Sequence, residues 1–296
     1  MKSGFVAILG QPNVGKSTLL NALLKEKVSI VSPKPQTTRN KILGIYNDAE
    51  TQIIFIDTPG IHNSHNKLDD YMNKAITTAK NDVDVVLYVI DGTKKINNQT
   101  IETLNKYTNG IDNIILVVNK VDDTTYAKLY PELAKCNELS NIKDIVPVSA
   151  LKSKNLEELL KVIKSYLKDD DIRYFDEDIY TDQPIKFLIA EIIREKSLWL
   201  LQDELPHGIA VEIMRYNETD DLCEIDADIY LEKASHKQIV IGKNGSMLKN
   251  IGIKARHDIE KLVDKQVMLK LFVKVKEDWR NSGSVIKSLG YNKEDL

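Results

Sequence analysis

The stretch Phe5-Val-Ala-Ile-Leu-Gly10-Gln-Pro-Asn-Val-Gly15-Lys16-Ser17-Thr18 decides the fold of this chain. An apolar run typical of a strand enters a turn with two glycines five residues apart, and helical periodicity begins at Lys16. This strand, turn and helix form the pattern of a phosphate-binding P-loop. Glycines let the backbone curl round a polyphosphate with its N–H groups pointing inward, and a helix N-terminus favours an anion. The alternative is an ordinary glycine turn before a helix, and the flanking elements count against it.

The P-loop pattern predicts a role for individual side chains. Lys16 is expected to reach the β- and γ-phosphates, and the Ser17 hydroxyl to bind the Mg²⁺ that bridges them. The residues of this stretch predicted to bind nucleotide are Gly10, Gln11, Pro12, Asn13, Val14, Gly15, Lys16, Ser17 and Thr18.

Composition bounds the class of protein. A chain of 296 residues that is 42% hydrophobic can bury a large core, and its length suggests two domains. Cys136 and Cys223 belong to no pair motif, so we expect reduced packing residues in a reducing cytosol. Met1 runs directly into the first predicted strand, and no apolar run approaches 18 residues, so we expect neither a signal peptide nor a membrane span.

Charge is divided unevenly along the chain. Residues 171–232 carry 5 basic and 17 acidic side chains, whereas residues 233–276 carry 11 basic and 3 acidic ones. Such asymmetry between neighbouring segments indicates a charged partner.

The segment 28–40 is predicted to be a loop, because it contains Pro33 and Pro35 among polar residues. Its length suits a loop that passes over the nucleotide. A threonine hydroxyl here is expected to bind Mg²⁺, so that the triphosphate orders the loop and hydrolysis releases it. We favour Thr38 over Thr37 for this role. A plain surface loop without a ligand is the alternative.

Two strands are predicted next, at 42–46 and 52–56, and the second ends in Asp57-Thr58-Pro59-Gly60, 41 residues after Lys16. Asp57 at the tip of a buried strand is expected to hold a Mg²⁺-bound water, and the Gly60 N–H to meet the γ-phosphate. The predicted metal ligands are therefore Ser17, Thr38 and Asp57. The predicted catalytic residues are Lys16, Thr38 and Gly60, and the nucleotide-binding residues of this turn are Asp57, Thr58, Pro59, Gly60 and Ile61.

Alternating elements follow: helices are predicted at 67–80, 97–107 and 155–168, and strands at 84–90, 113–118 and 145–148. Near-continuous apolar strands between amphipathic helices indicate an α/β domain whose mostly parallel sheet is covered on both faces. Ligands of such sheets lie at the carboxyl ends of the strands.

The segment Asn119-Lys120-Val121-Asp122 lies at that edge. The Asp122 carboxylate can accept from the N1–H and 2-amino group of guanine, while the amide of Asn119 and the stem of Lys120 complete the base site. Adenine would leave Asp122 unpaired, and sites of this kind reject a mismatched analogue by about 10⁴ to 10⁵. The last strand delivers Ser149-Ala150, whose backbone N–H is expected to contact the guanine carbonyl oxygen.

These motifs resemble, in order and spacing, those of a small GTPase. Ile61 stands where Ras-like enzymes carry the glutamine that orients the attacking water, so we expect slow intrinsic hydrolysis. Arg39 and His62 are nearby candidates to assist, although both are expected mainly as exposed loop residues.

A second domain is predicted after the acidic segment 169–183, which we interpret as a linker. Domain boundaries are expected at 1–168, 184–280 and a tail at 281–296. The predicted order is a helix at 184–201, strands at 209–215 and 222–231, helices at 235–240 and 247–263, and a strand at 267–275.

A Gly-X-X-Gly turn, Gly242-Lys243-Asn244-Gly245, joins the last two helices beside the sheet. In an α-β-β-α-α-β order this resembles the RNA clamp of a KH domain of the prokaryotic type II, which holds about four bases of a single strand. A purely structural turn is the alternative. The predicted RNA-binding residues are Ile241, Gly242, Lys243, Asn244, Gly245, Lys249, Lys254 and Arg256.

The expected fold class is therefore α/β, with a P-loop NTPase G domain followed by an α+β type II KH domain. The strings Gln36-Thr-Thr-Arg39, Asp57-Thr-Pro-Gly-Ile-His62 and Lys274-Val-Lys-Glu-Asp-Trp279-Arg280 resemble the bacterial Era GTPases of the TrmE-Era-EngA-like group over nearly the whole chain. That family carries a hydrophobic residue at the position of Ile61.

The Era resemblance implies a GTP/GDP switch that uses Mg²⁺. It further implies binding of the 3′ end of 16S rRNA by the KH domain, a role in maturation of the 30S ribosomal subunit, and a cytoplasmic location with peripheral contact to the cell membrane. We separately expect a monomer. Two alternatives stay open: a GTP-dependent scaffold whose second domain docks a protein or membrane, and a P-loop kinase, which the segment Asn119–Asp122 disfavours. Tyr291 and the tail beyond Trp279 are expected either to pack on the KH sheet or to touch RNA.

Overall fold

The computed structural model describes residues 1–136, 141–169, 171–202 and 205–296. Residue 170 of the predicted linker lies outside these ranges. Both cysteines are buried free thiols, as predicted.

The first domain alternates strands and helices. Its elements are β1 (Lys2–Gly10), α1 (Lys16–Leu24), β2 (Ile42–Asn47), β3 (Thr51–Asp57), α2 (Lys67–Ala79), β4 (Val85–Asp91), α3 (Asn98–Thr108), β5 (Ile114–Asn119), α4 (Tyr126–Ala134), β6 (Ile142–Pro147), α5 (Leu156–Tyr166) and β7 (Lys168–Asp169).

The sheet has the strand order β2-β3-β1-β4-β5-β6. Strands β3, β1, β4, β5 and β6 are parallel, and β2 is antiparallel to β3. One face packs against α1 and α5 and the other against α2, α3 and α4, because alternate strand residues point to opposite faces. The carboxyl ends of β1, β3 and β5 therefore meet at one edge, where the P-loop, Asp57 and Asn119 lie.

Two sequence predictions for this domain were incomplete. Helix α4 was missed: it buries only Leu129 fully and contains Pro131, so its apolar periodicity is weak. Strand β6 begins at Ile142, three residues before the predicted start, because its first residues are only partly buried and lack the continuous apolar pattern.

The second domain has the predicted α-β-β-α-α-β order. Its elements are α6 (Ile185–Leu200), β8 (Ala210–Glu218), β9 (Leu222–Leu231), α7 (Ala234–Ile241), α8 (Ser246–Val263) and β10 (Gln266–Val275), followed by α9 (Gly283–Ser288) in the tail. The sheet order is β10-β9-β8, with β10 parallel and β8 antiparallel to β9. Helices α6, α7 and α8 cover one face and enclose the apolar core.

A buried glutamine of the first domain binds the linker backbone. Gln52 is fully buried; its Oε1 accepts from the backbone N–H groups of Tyr174 and Phe175, and its Nε2 donates to the Phe175 carbonyl. Further along, the Ile45 N–H donates to the Tyr180 carbonyl. The acidic segment thus follows the first domain closely, although its described residues beyond 169 form no helix or strand.

The tail packs between the two domains. Tyr291 stacks on Trp279 with ring centroids 6.2 Å apart and meets Tyr71 of α2 edge-on at 5.8 Å. The same cluster includes Ala210 and Tyr230 at the end of the second sheet. Of the two alternatives for Tyr291, the structure favours packing.

Candidate functional site

The P-loop glycines occupy positions that other residues cannot share. Gly15 has a φ of +96°, and a Cβ there would lie 2.3 Å from Asn119 Nδ2. The Asn119 amide nitrogen instead donates to the Val14 carbonyl at 2.9 Å. The absence of a side chain at Gly15 therefore lets Asn119, which is predicted to bind guanine, support the P-loop backbone.

Lys16 is buried at the start of α1. Its Nζ donates to the carbonyls of Gly10 and Gln11, at 3.0 and 3.1 Å. Burial lowers the pKa of Lys16 to about 8, and the charge of Asp57 works in the opposite direction. The ammonium thus lies inside the P-loop with carbonyl partners that a phosphate can replace.

Two hydroxyls donate to the Asp57 carboxylate, and a third hydroxyl contacts one of them. Asp57 Oδ2 accepts from Ser17 Oγ at 2.6 Å and from Ser29 Oγ at 2.9 Å, and Ser17 Oγ lies 2.8 Å from Thr38 Oγ1. Asp57 Oδ1 is buried without a hydrogen-bond partner among the described residues, and burial raises the pKa of this carboxyl. These oxygen donors and the buried carboxylate oxygen without a partner fit a Mg²⁺ ion, which Ser17, Thr38 and Asp57 could hold.

The structure separates the two candidate threonines. Thr38 is buried beside Ser17, whereas the Thr37 hydroxyl donates to the Lys34 carbonyl at 2.7 Å and contacts Ser32 Oγ. Geometry therefore supports the preference for Thr38. Ser29 is a member of the site that the sequence did not reveal, because an isolated serine in a loop carries no motif.

The turn after Asp57 lies against the P-loop. A Cβ on Gly60 would come within 2.7 Å of Pro12 Cα, and the Ile61 N–H donates to the Gly10 carbonyl at 3.1 Å. The Thr58 hydroxyl donates to the Ile8 carbonyl, and Thr58 and Pro59 are buried. Only a glycine permits this approach to the phosphate loop at position 60.

Arg39 and His62 are not exposed loop residues, so that expectation was wrong. The side chain of His62 is 13% exposed; Nδ1 lies 2.7 Å from the Gly60 carbonyl, and Nε2 lies 3.3 Å from Asp69 Oδ1. Arg39 is 1% exposed because its guanidinium enters the second domain. His62 is held by nearby residues of its own turn and of α2, whereas Arg39 is buried by contacts with residues about 170 positions away.

The predicted guanine-binding residues lie together at the ends of β5 and β6. Lys120 Nζ donates to the Asn13 carbonyl and to Asp91 Oδ2, both at 2.7 Å. A hydrogen bond from Ser149 lowers the pKa of Asp122 and keeps it an acceptor. The backbone N–H of Ala150 donates to Asn119 Oδ1 at 3.0 Å, so in this structure it orients the asparagine. Asp91 was missed, since it belongs to no recognised motif.

The second candidate site is a groove of about 380 Å³ in the second domain. Gly242 opens the turn with φ +74°, and a Cβ there would lie 2.7 Å from the Met247 nitrogen; Gly245 has φ +76°. Lys243 and Asn244 are exposed in the turn, and Ile241 is half-buried at the end of α7. The groove is lined by Gly245, Leu248, Lys249, Gly252, Ile253, Arg256, Leu269 and Leu271.

Two of the three predicted basic residues of α8 reach this groove. Lys249 and Arg256 are seven residues apart and share a helix face. Lys254 is exposed, does not line the groove, and lies about 140° round the helix from Lys249. Helix phase, rather than composition, decides which cations border the groove.

Comparisons with known proteins identify the family. Residues 5–120 match the family described as "50S ribosome-binding GTPase", and residues 204–280 match the KH domain family. GTPase Era of Clostridioides difficile is 50% identical over 98% of this chain and 99% of its own length. The chain belongs to the Era GTPase family. GTPase Era of Clostridium acetobutylicum is 47% identical, with 98% of each chain covered.

Solved Era structures match the whole fold. A tyrosine-to-alanine variant of Aquifex aeolicus Era bound to GDP·AlF₄⁻ aligns with a TM-score of 0.95 and 40% identity. The alignment covers 98% of this chain and 99% of the Aquifex aeolicus chain. Era in complex with MgGDPNP and nucleotides 1506–1542 of 16S ribosomal RNA aligns with a TM-score of 0.94, with the same identity and coverage. As an Era-family member, the chain is a GTPase whose G domain precedes a KH domain. The predicted fold class and the Era resemblance are confirmed.

No helix within the described ranges is both long and apolar enough to cross a bilayer.

Proposed function

We propose that this chain is a Mg²⁺-dependent GTP-binding and GTP-hydrolysing switch whose nucleotide state controls binding of the single-stranded 3′ end of 16S rRNA during assembly of the 30S subunit. The observation that carries the proposal is a hydrogen-bonded cluster beside the P-loop, in which Ser17 and Ser29 donate to Asp57 and Thr38 contacts Ser17. These residues come from separate segments of the chain. Their hydroxyl and carboxylate oxygens form one cluster, as a Mg²⁺ site requires.

The residues of the G domain divide the work of binding and hydrolysis. The P-loop amides and Lys16 hold the β- and γ-phosphates, Gly60 presents its N–H to the γ-phosphate, and Asn119, Lys120 and Asp122 select guanine. Mg²⁺, when bound, neutralises charge between the two phosphates. Because Ile61 has no side-chain donor or acceptor, it cannot orient the attacking water, and we expect slow intrinsic hydrolysis.

The groove of the KH domain suits a single-stranded nucleic acid. Its Leu and Ile side chains offer apolar surface to bases, and Lys249 and Arg256 border it with positive charge. The Gly242–Gly245 turn brings the backbone close to a phosphate. A related Era has been solved with 16S rRNA nucleotides, which supports the same ligand for this groove.

We also propose that the protein acts in the cytoplasm as a monomer, with peripheral contact to the inner face of the cell membrane. This location rests on the family resemblance. Size-exclusion chromatography and cell fractionation test it; a stable dimer or exclusive membrane recovery would contradict it.

The decisive experiment measures RNA affinity in parallel with GDP and with GDPNP, using a single strand of the 16S rRNA 3′ sequence. We expect the two nucleotides to give different affinities. The double variant Gly242→Asp, Gly245→Asp should lose RNA binding and keep GDPNP affinity, because it adds charge only at the turn. Gly283→Asp is the matched control, since a Cβ there meets nothing within 4 Å. Equal RNA affinities in both nucleotide states would refute the coupling.

A further inference from the structure

Arg39 connects the nucleotide loop to the second domain. It follows Thr38 directly in the chain, and its guanidinium donates from Nη1 to the Ile209 carbonyl at 2.7 Å and from Nη2 to the His207 carbonyl at 2.9 Å. Both carbonyls lie just before β8. A residue adjacent to the proposed Mg²⁺ threonine is thus bonded to the KH domain.

Aromatic rings from the C-terminal side complete the site. The guanidinium carbon lies 5.8 Å from the centroid of Trp279, and Nη1 lies 3.4 Å from Tyr291 Oη. Trp279 and Tyr291 stack on each other. We call the group of His207, Ile209, Trp279 and Tyr291 the Arg39 socket.

The KH domain also holds the loop on the other side of Thr38. In helix α6, Glu195 Oε1 accepts from the Val31 N–H at 2.9 Å, and Arg194 donates to the Thr37 carbonyl. The indole N–H of Trp199 donates to the Val31 carbonyl at 2.9 Å. Contacts from the KH domain therefore fix the loop backbone before and after the residue that faces the nucleotide.

The socket stabilises Arg39 without a counter-ion. No salt bridge among the described residues includes Arg39, and its buried Nε has no hydrogen-bond partner there; the Glu191 carboxylate attracts the guanidinium only at longer range, and Arg194 opposes that attraction. By contrast Arg194, equally buried, pairs with Glu191 at 2.6 Å. A buried charge with only neutral partners loses hydration that those partners replace incompletely. This desolvation cost opposes docking of Arg39 and partly offsets its hydrogen bonds to the two carbonyls.

We propose that Arg39 is a positioning residue: seated in its socket, it holds Thr38 beside Ser17 and so favours Mg²⁺–GTP over GDP. This inference rests on the proposed function of Thr38 as a Mg²⁺ ligand. The docked Arg39 and the Ser17–Thr38 contact of 2.8 Å occur together in the same structure. By linkage, a ligand that draws Thr38 to Ser17 also favours Arg39 in the socket, and hence one orientation of the KH domain.

The test measures the affinities of the full chain for GDPNP and GDP at fixed Mg²⁺. Arg39→Gln should weaken GDPNP binding about tenfold, the lower end of the range for residues that support a metal ligand. GDP affinity should not change, because the contacts of Arg39 within the described residues are with the second domain and the tail, and not with the P-loop or with residues 119–122. Arg215→Gln is the matched control: Arg215 pairs with Glu224 on the half-exposed face of the second sheet.

Tryptophan fluorescence supplies a readout that does not depend on turnover. The chain has two tryptophans, and both contact the loop or its arginine. In a Trp199→Phe background only Trp279 emits, and its spectrum should differ between GDP and GDPNP. Adding Arg39→Gln should abolish that difference.

Thr38→Ala separates the inference from the proposed function. If Thr38→Ala lowers the ratio of GDPNP to GDP affinity and Arg39→Gln does not, the inference is overturned and the proposed function stands. If Thr38→Ala leaves the ratio unchanged, both fail. Equal loss of both nucleotides in Arg39→Gln would indicate a merely structural role and would also overturn the inference. If Arg39→Gln does not fold, Arg39→Lys replaces it in the test. Lysine keeps the positive charge but cannot donate to both carbonyls at once, so the inference requires a smaller fall in the ratio of GDPNP to GDP affinity.

Discussion

Ser29 Oγ donates a 2.9 Å hydrogen bond to Asp57 Oδ2, the carboxylate oxygen that also accepts from Ser17. Ser29 is fully buried, so this donor stabilises the charged form of a carboxylate whose pKa burial raises. We predict that Ser29→Ala raises the Mg²⁺ concentration for half-maximal GDPNP binding about tenfold. Ser165→Ala, on the exposed side of α5, is the control. An unchanged Mg²⁺ requirement would show that Ser29 has no part in the metal site.

Gly60 is expected to tolerate no side chain. In Gly60→Ala the new Cβ meets the backbone of Pro12 at 2.7 Å, so the turn must move away from the P-loop. Loss of one backbone donor at the transferring phosphoryl group should lower the GTP hydrolysis rate by about 10²-fold, with GDP affinity nearly unchanged. Gly283→Ala adds the same methyl group in open space and should hydrolyse GTP at the parent rate. Normal turnover in Gly60→Ala would contradict the assigned contact.

Asp122 is expected to select the base. Asp122→Asn replaces one carboxylate oxygen with an NH₂ group that can donate to the 2-oxo group of xanthine, while the other oxygen still accepts from N1–H. The preference for GTP over xanthosine triphosphate should therefore reverse, by a factor of up to about 10⁴. Competitive binding of the two triphosphates measures this change, and Asp123→Asn at the neighbouring exposed position is the control. A variant that still selects GTP would refute the assignment.

Asp91 is expected to make stability depend on pH. Burial opposes ionisation, yet hydrogen bonds from Lys120 and Thr93 outweigh it and lower the pKa of Asp91 below its usual value. At a pH above about 3.9, the pKa of Asp91 in the unfolded chain, the ionised carboxylate stabilises the folded protein. This stabilisation is lost as the pH falls through the lower pKa of Asp91 in the folded protein.

In urea unfolding at pH 7, Asp91→Asn should therefore lose about 2 kcal/mol of unfolding free energy. The difference from the parent should shrink as pH approaches 3. Asp112→Asn, at an exposed position, should show no such difference. If the difference in unfolding free energy between Asp91→Asn and the parent does not depend on pH, the loss comes from packing and not from the charge of Asp91.

Lys249 and Lys254 should differ in RNA binding, although they lie five residues apart. Lys249 lines the groove and Lys254 does not. Lys249→Ala should reduce the slope of log affinity against log salt by about 0.7, the value for one phosphate contact on a single strand. Lys254→Ala should leave the slope unchanged. Equal slopes in the two variants would place the RNA backbone elsewhere on α8.

Much of the fold follows from local pattern. Strands β1, β3, β4 and β5 read as strands because they are buried on both faces, and the glycines at 10 and 15 mark a turn that other residues cannot form. The sequence also predicted the α-β-β-α-α-β order of the second domain. It did not predict helix α4, because Tyr126 and Tyr130 are exposed there and the helix lacks an apolar stripe.

The sequence by itself determined the nucleotide motifs and the α/β and KH architecture, and it predicted most of the residues placed at the two candidate sites, because the spacing of strands and helices indicates which residues lie at their ends. Only the tertiary structure decided which threonine reaches Ser17, that Ser29 and Asp91 join the site, that Lys254 points away from the groove, and that Arg39 is seated in the other domain. The physical reason is distance along the chain: Arg39 bonds to carbonyls about 170 residues away, and no local pattern encodes a contact that exists only after both domains have folded.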